Sequence, residues 1–80
     1  MGIKNAVVDR FNNICKERNM NPNELAVISG VTPSSVYSML DSNRHNISIV
    51  LIKKLCDGLD ISLAEFFDSD EFNELTQEIE

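Results

Sequence analysis

The chain has 80 residues, enough for one domain that buries roughly 60–65% of its unfolded surface and too few for a separate catalytic domain. Its formal charge of −6 is uneven: residues 1–67 carry seven basic and seven acidic side chains, whereas residues 68–80 carry Asp68, Asp70, Glu71, Glu74, Glu78 and Glu80 and no lysine or arginine. The longest apolar stretch, Ile47 to Ile52, falls far short of the roughly 20 residues of a membrane span, and MGIKNAVVDRF lacks the pattern of a secretory signal, so a soluble, cytoplasmic protein is expected.

From Ile3 to about Arg18 the apolar residues Ile3, Val7, Phe11, Ile14 and Cys15 recur at spacings of three and four, which predicts an amphipathic first helix. Its other face is mildly basic, with Lys4, Arg10, Lys16 and Arg18 against Asp9 and Glu17.

The next four helix starts share one local device. At Met20-Asn21-Pro22-Asn23-Glu24-Leu25, Asn21 caps, Pro22 stands where its missing N–H costs nothing, Glu24 reaches back to the cap amide, and Met20 staples to Leu25. Thr32 caps the third helix ahead of Pro33, with a Val31 to Val36 staple. Ile47-Ser48 with Ile52 gives a weaker version for the fourth, and Ile61-Ser62-Leu63-Ala64-Glu65-Phe66 a complete box and staple for the fifth. The fourth helix is expected to run from Ile49 to Asp57, burying Ile52, Leu55 and Cys56, with Gly58 as its left-handed stop. No strand alternation competes, so the fold class is all-α with five core helices. In the acidic tail, Phe72, Leu75 and Ile79 are spaced for one apolar stripe on a short sixth helix, which needs something to pack on; the stripe reads either as a dimer contact or as part of a solvated tail.

Cys15 and Cys56 stand far apart with a single histidine in the chain, too few ligands for a structural metal site; both fall on apolar helical positions and read as free, buried thiols. No metal and no cofactor is expected. A Gly-rich phosphate loop and a nucleophile with a paired base are both missing from the sequence, which argues against an enzyme.

The informative spacing lies in Asn21 to Asp41. Two helices crossing steeply need a small side chain where they touch, a turn residue tolerant of positive φ, and an apolar inner face on the second helix. Ala26, Gly30, Val36 and Met39 supply these in order.

On these residues the sequence resembles the lambda-repressor/Cro-like, or XRE-type, helix-turn-helix domains of bacteria and their phages. The resemblance runs through NELAVISGVTPSSVYSML and then ISIVLIKKLCDGLDISLAEFF, over roughly residues 5 to 67. It implies a domain over residues 1–67, motif at about 21–41, followed by the acidic tail 68–80. It implies a homodimer on double-stranded DNA, with the third helix, about residues 33–40, in the major groove. The base-facing positions implied are Pro33, Ser34, Ser35, Tyr37 and Ser38; those facing the DNA backbone are Asn21, Asn43, Arg44, His45, Asn46 and Lys53. Pro33 stands where the family often has an amide able to pair with adenine. Residues 19–43 hold no lysine or arginine, so phosphate contacts fall to helix N-termini and to the loop around Arg44, with Lys53 and Lys54 adding attraction. His45 reads either as a surface residue or as a backbone contact.

Two functions follow. One is a sequence-specific DNA-binding transcriptional regulator, a repressor acting as a dimer. The other keeps the fold but binds a protein, as an antitoxin or antirepressor partner does, with weak DNA binding or none.

Overall fold

The computed structural model describes residues 2–41 and 46–74. Among the described residues six helices and no strands are present: α1 Ile3–Glu17, α2 Pro22–Ser29, α3 Pro33–Leu40, α4 Ile49–Leu59, α5 Leu63–Phe67 and α6 Asp70–Asn73. The all-α expectation is met, and α2, α3, α4 and α5 begin at the residues their caps mark. Asn21 Oδ1 accepts the Glu24 amide (2.8 Å) while Glu24 Oε1 accepts the Asn21 amide (3.1 Å), a complete capping box. Thr32, Ser48 and Ser62 each accept the amide three residues on. At α5 only that half of the expected box forms.

The helices also stop by a common device. Asn19, Gly30 and Asp60 take positive φ (54°, 70° and 59°), and the following Met20, Val31 and Ile61 amides donate back to the carbonyls of Cys15, Ala26 and Cys56. This is the Schellman closure, which satisfies carbonyls a helix end would otherwise leave open. Met20, Val31 and Ile61 pack against the core, so each ends one helix and stands one residue before the cap of the next.

Gly58 departs from its expected role. It lies inside α4, which continues to Leu59, and Asp60 takes the left-handed position. A Cβ at Gly58 would stand 2.2 Å from Ser29 Oγ and 2.8 Å from Ser29 Cα. The glycine therefore permits the close approach of α4 to α2 and leaves the turn to Asp60.

The core is built from Val7, Phe11 and Ile14 of α1, Leu25 and Ala26 of α2, Val36 and Met39 of α3, Ile52, Leu55, Cys56 and Leu59 of α4, and Phe66 of α5. Phe66 packs on Phe11 in a tilted arrangement (4.4 Å, 39°) and meets Phe67 (5.0 Å) edge-on; Phe72 of α6 lies 5.0 Å from Phe67 and 5.9 Å from Phe66. Phe72 thus packs on its own chain, while Leu75 and Ile79 of the expected stripe lie outside the described residues. Ile3 is not core: it is 42% exposed in the first turn of α1, while its neighbour Lys4 is 6% exposed.

The basic face of α1 is largely committed to other helix ends. Lys4 Nζ donates to the Asp41 carbonyl that closes α3. Arg10 donates to the Phe66 (2.9 Å) and Glu65 (3.1 Å) carbonyls of α5, and Arg18 to the Leu59 carbonyl (2.7 Å) of α4. Each cation meets the negative end of a helix dipole, and the Glu65 carbonyl also accepts the Asp68 amide (3.3 Å). Cys15 and Cys56 are free and buried, and burial pushes both thiols up from their ordinary range, against an opposing pull from Arg18 at Cys15.

Candidate nucleic-acid interface

Helices α2 and α3 are joined by Gly30, whose φ of 70° and ψ of 28° turn the chain directly out of α2. A Cβ there would meet nothing within 4 Å, so the requirement is conformational. Ala26 and Val36 are fully buried, and with Met39 they hold α3 by one side only.

The opposite side of α3 faces solvent. Pro33, Ser34, Tyr37 and Ser38 are exposed, Ser35 is half-buried, and Tyr37 keeps 50% of its surface. The residues expected to face bases therefore share one open helix face. The Thr32 hydroxyl lies 3.1 Å from Ser34 Oγ and 2.9 Å from Ser35 Oγ, besides capping the Ser35 amide. A hydroxyl carries one proton and two lone pairs, so each serine tied to Thr32 keeps capacity for an outside partner in a restricted direction. This Thr32-centred network was not foreseen, although the run Thr-Pro-Ser-Ser after the turn holds the signal. Ser34, Ser35 and Ser38 also line an open groove of about 330 Å³ whose far wall includes Asn46 and Ser48. The structure thus brings one expected backbone contact, Asn46, to the serines of α3.

The remaining positions divide. Asn21 is exposed at the start of α2; its Oδ1 is used in the cap, which leaves its amide hydrogens to donate. Lys53 is half-exposed and pairs with Asp57 one turn on; such exposed pairs contribute up to about 1 kcal/mol and yield readily to a phosphate. Asn43, Arg44 and His45 lie outside the described residues. Among the described residues, no three His, Cys, Asp or Glu side chains group to hold a metal ion, and no helix is long and apolar enough to cross a membrane. With Lys4, Arg10 and Arg18 engaged at helix ends, Lys16 and Lys54 are the described cations without a partner.

The outer face of α2 carries an unforeseen feature. Val27 is 75% exposed and Ile28 45%, beside the capping residues Asn21 and Glu24.

The arrangement matches known proteins at two levels. Prophage Lp1 protein 11, known from a crystal structure, superposes with a TM-score of 0.81 at 28% identity, covering 94% of this chain and 100% of its own. No curated protein matches the chain in sequence. The family model described as the Cro/C1-type HTH DNA-binding domain matches residues 10–71. A buried inner face on α3, a left-handed glycine turn and an exposed polar outer face are the parts such a domain needs, and the chain belongs to the Cro/C1-type helix-turn-helix DNA-binding domain family.

Proposed function

We propose that this protein is a sequence-specific transcriptional regulator that represses by occupying its site as a homodimer, with α3 in the major groove. The observation that carries this reading is the one-sided burial of α3, which commits Val36 and Met39 inward and leaves Pro33, Ser34, Tyr37 and Ser38 on one open face. A helix in the major groove reads base edges with such a face. Tyr37 offers a ring for a thymine methyl and a hydroxyl for a phosphate or base edge; the serines add hydroxyls that discriminate weakly. Asn21, Asn46, Lys53 and the residues Asn43, Arg44 and His45 grip the backbone beside it, aided by the amides at the N-termini of α2 and α3.

The electrostatics bear on how tight that grip is. Lys4, Arg10 and Arg18 close helix ends and Lys16 stands at a separate cavity, so phosphate neutralisation falls to Arg44, Lys53 and Lys54 of each subunit. Each neutralised phosphate contributes roughly 0.9 to the slope of log affinity against log salt, so a dimer is expected to show a slope of magnitude about 5 or less. Selection of bound duplexes from a random pool, followed by a salt titration on the selected site, tests this. Recovery of a two-fold symmetric site with such a slope is the expected result.

A second reading is favoured by Val27 and Ile28, exposed on α2 where a purely DNA-contacting surface has no use for apolar side chains. In that reading the domain binds a protein through α2 and α3. Failure to recover any duplex at low salt would decide for it.

A further inference from the structure

We propose that the cavity between α1, α2 and α3 is a binding site for a small molecule with an apolar body and one anionic head group. The cavity has a volume of about 210 Å³ and is partly open to solvent. Its floor is apolar, formed by Phe11, Cys15, Leu25 and Val36, each buried in the core. An apolar cavity of roughly 150 Å³ is large enough to hold benzene, so this one accepts a single aromatic ring with a short substituent.

The mouth has a different chemistry. Asn12 and Lys16 stand there, both exposed. Lys4, Arg10 and Arg18, the other cations of α1, each close the end of another helix, whereas Lys16 has no partner among the described residues. An unpaired ammonium and a side-chain amide at the rim of an apolar pocket suit a carboxylate attached to a hydrophobic body. Met20, half-buried on the wall, is unbranched and adapts to an occupant's outline. The site is independent of the DNA-binding face, although Val36 and Leu40 of α3 form part of its lining.

The test is an NMR titration of the full chain, without DNA, using sodium benzoate, with benzyl alcohol as the uncharged ring and acetate as the head without a body. Benzoate is expected to bind with a Kd on the order of 1 mM, shifting the methyl and amide signals of Leu25, Val36 and Leu40. Benzyl alcohol should bind more weakly and acetate should leave those signals in place. Lys16→Gln, at an exposed position, should weaken benzoate roughly fivefold, the equivalent of one exposed charge pair, and leave benzyl alcohol unchanged. Benzoate shifts scattered over the surface, or absent from the cavity residues, overturn the site. Equal benzoate affinity in the Lys16→Gln variant overturns the assigned head group.

Discussion

Gly58 of α4 lies against Ser29 of α2 so closely that a Cβ on the glycine would stand 2.2 Å from Ser29 Oγ and 2.8 Å from Ser29 Cα. The Ser29 hydroxyl is itself buried there without a hydrogen-bond partner. An ordinary helical glycine gains up to about 1 kcal/mol on replacement by alanine. Here the backbone of the neighbouring helix must move, and the overpacking cost of roughly 1–3 kcal/mol reverses the sign. Gly58→Ala should lower Tm by several degrees, and Ser29→Ala, which removes an unsatisfied hydroxyl, should raise it. In the double variant the contacts to Ser29 Cα and Cβ persist, so Ser29→Ala should rescue only part of the loss. A higher Tm for Gly58→Ala would show that the two helices are free to separate.

Arg10 has a structural role that its charge alone does not announce. It donates to the Phe66 and Glu65 carbonyls, and its guanidinium lies 5.9 Å from the Phe66 ring centre. Hydrogen bonds involving a charged group contribute about 1.5–3 kcal/mol. Arg10→Gln should therefore lower the urea midpoint by the equivalent of about 1–2 kcal/mol, discounted for the solvent-exposed Glu65 bond. The salt slope of DNA binding should not change. A slope shallower by about 1 for each subunit would mean instead that Arg10 neutralises a phosphate.

These two positions show where the sequence was legible and where it was not. The caps Asn21, Thr32, Ser48 and Ser62 act on amides three residues away, so sequence spacing alone places them. Gly58 sits just where a helix stop would be read, but the demand on it comes from Ser29, 29 positions earlier in the chain. Asp60 then supplies the left-handed turn, a conformation that short polar side chains tolerate. The partners of Lys4, Arg10 and Arg18 are likewise carbonyls from distant helices, and nothing in the local pattern of α1 distinguishes these residues from Lys16. The exposed face of α3 was legible because Val36 and Met39 fix the inner side, whereas the Thr32 hydroxyl network depends on rotamers.

Cys15 and Cys56 give the fold an alkaline limit. Burial raises both thiols above their ordinary range in the folded state. The unfolded chain then loses these protons first as pH rises, so stability is full below the unfolded pKa and declines as pH passes through it toward the folded values. Chemical denaturation between about pH 8 and 10.5 should show a falling midpoint. The decline should be shallower in a Cys15→Ala/Cys56→Ala variant, even though that variant starts from a lower stability. An identical slope would show that the two thiols do not set the decline.

Phe72 joins the core cluster through its contacts with Phe66 and Phe67. Phe72→Ala should cost about 1–2 kcal/mol, in keeping with a half-buried ring that also makes aromatic contacts. Truncation after Phe67 removes this ring and is expected to lower Tm whatever the oligomeric state. Truncation after Glu74 keeps it, and is the variant whose mass by light scattering tests Leu75 and Ile79 as a dimer contact. A fall to the monomer mass is the expected outcome; an unchanged dimer would place the contact elsewhere.

Tyr37 is the position at which readout and simple adhesion part most cleanly. Half its surface is exposed on α3, and the buried side of the helix is already filled by Val36 and Met39, so Tyr37→Ala should leave Tm nearly unchanged. If the ring meets base edges, the variant should lose on the order of 1 kcal/mol on the selected duplex and much less on random DNA. Ser34→Ala should behave in the same way with a smaller difference, because its hydroxyl is shared with Thr32. Lys53→Gln provides the contrast: a phosphate contact carries no sequence information, so both duplexes should weaken alike and the salt slope should drop by about 1 for each phosphate released. Equal losses on both duplexes for Tyr37→Ala would move that residue from the base-reading face to the backbone grip.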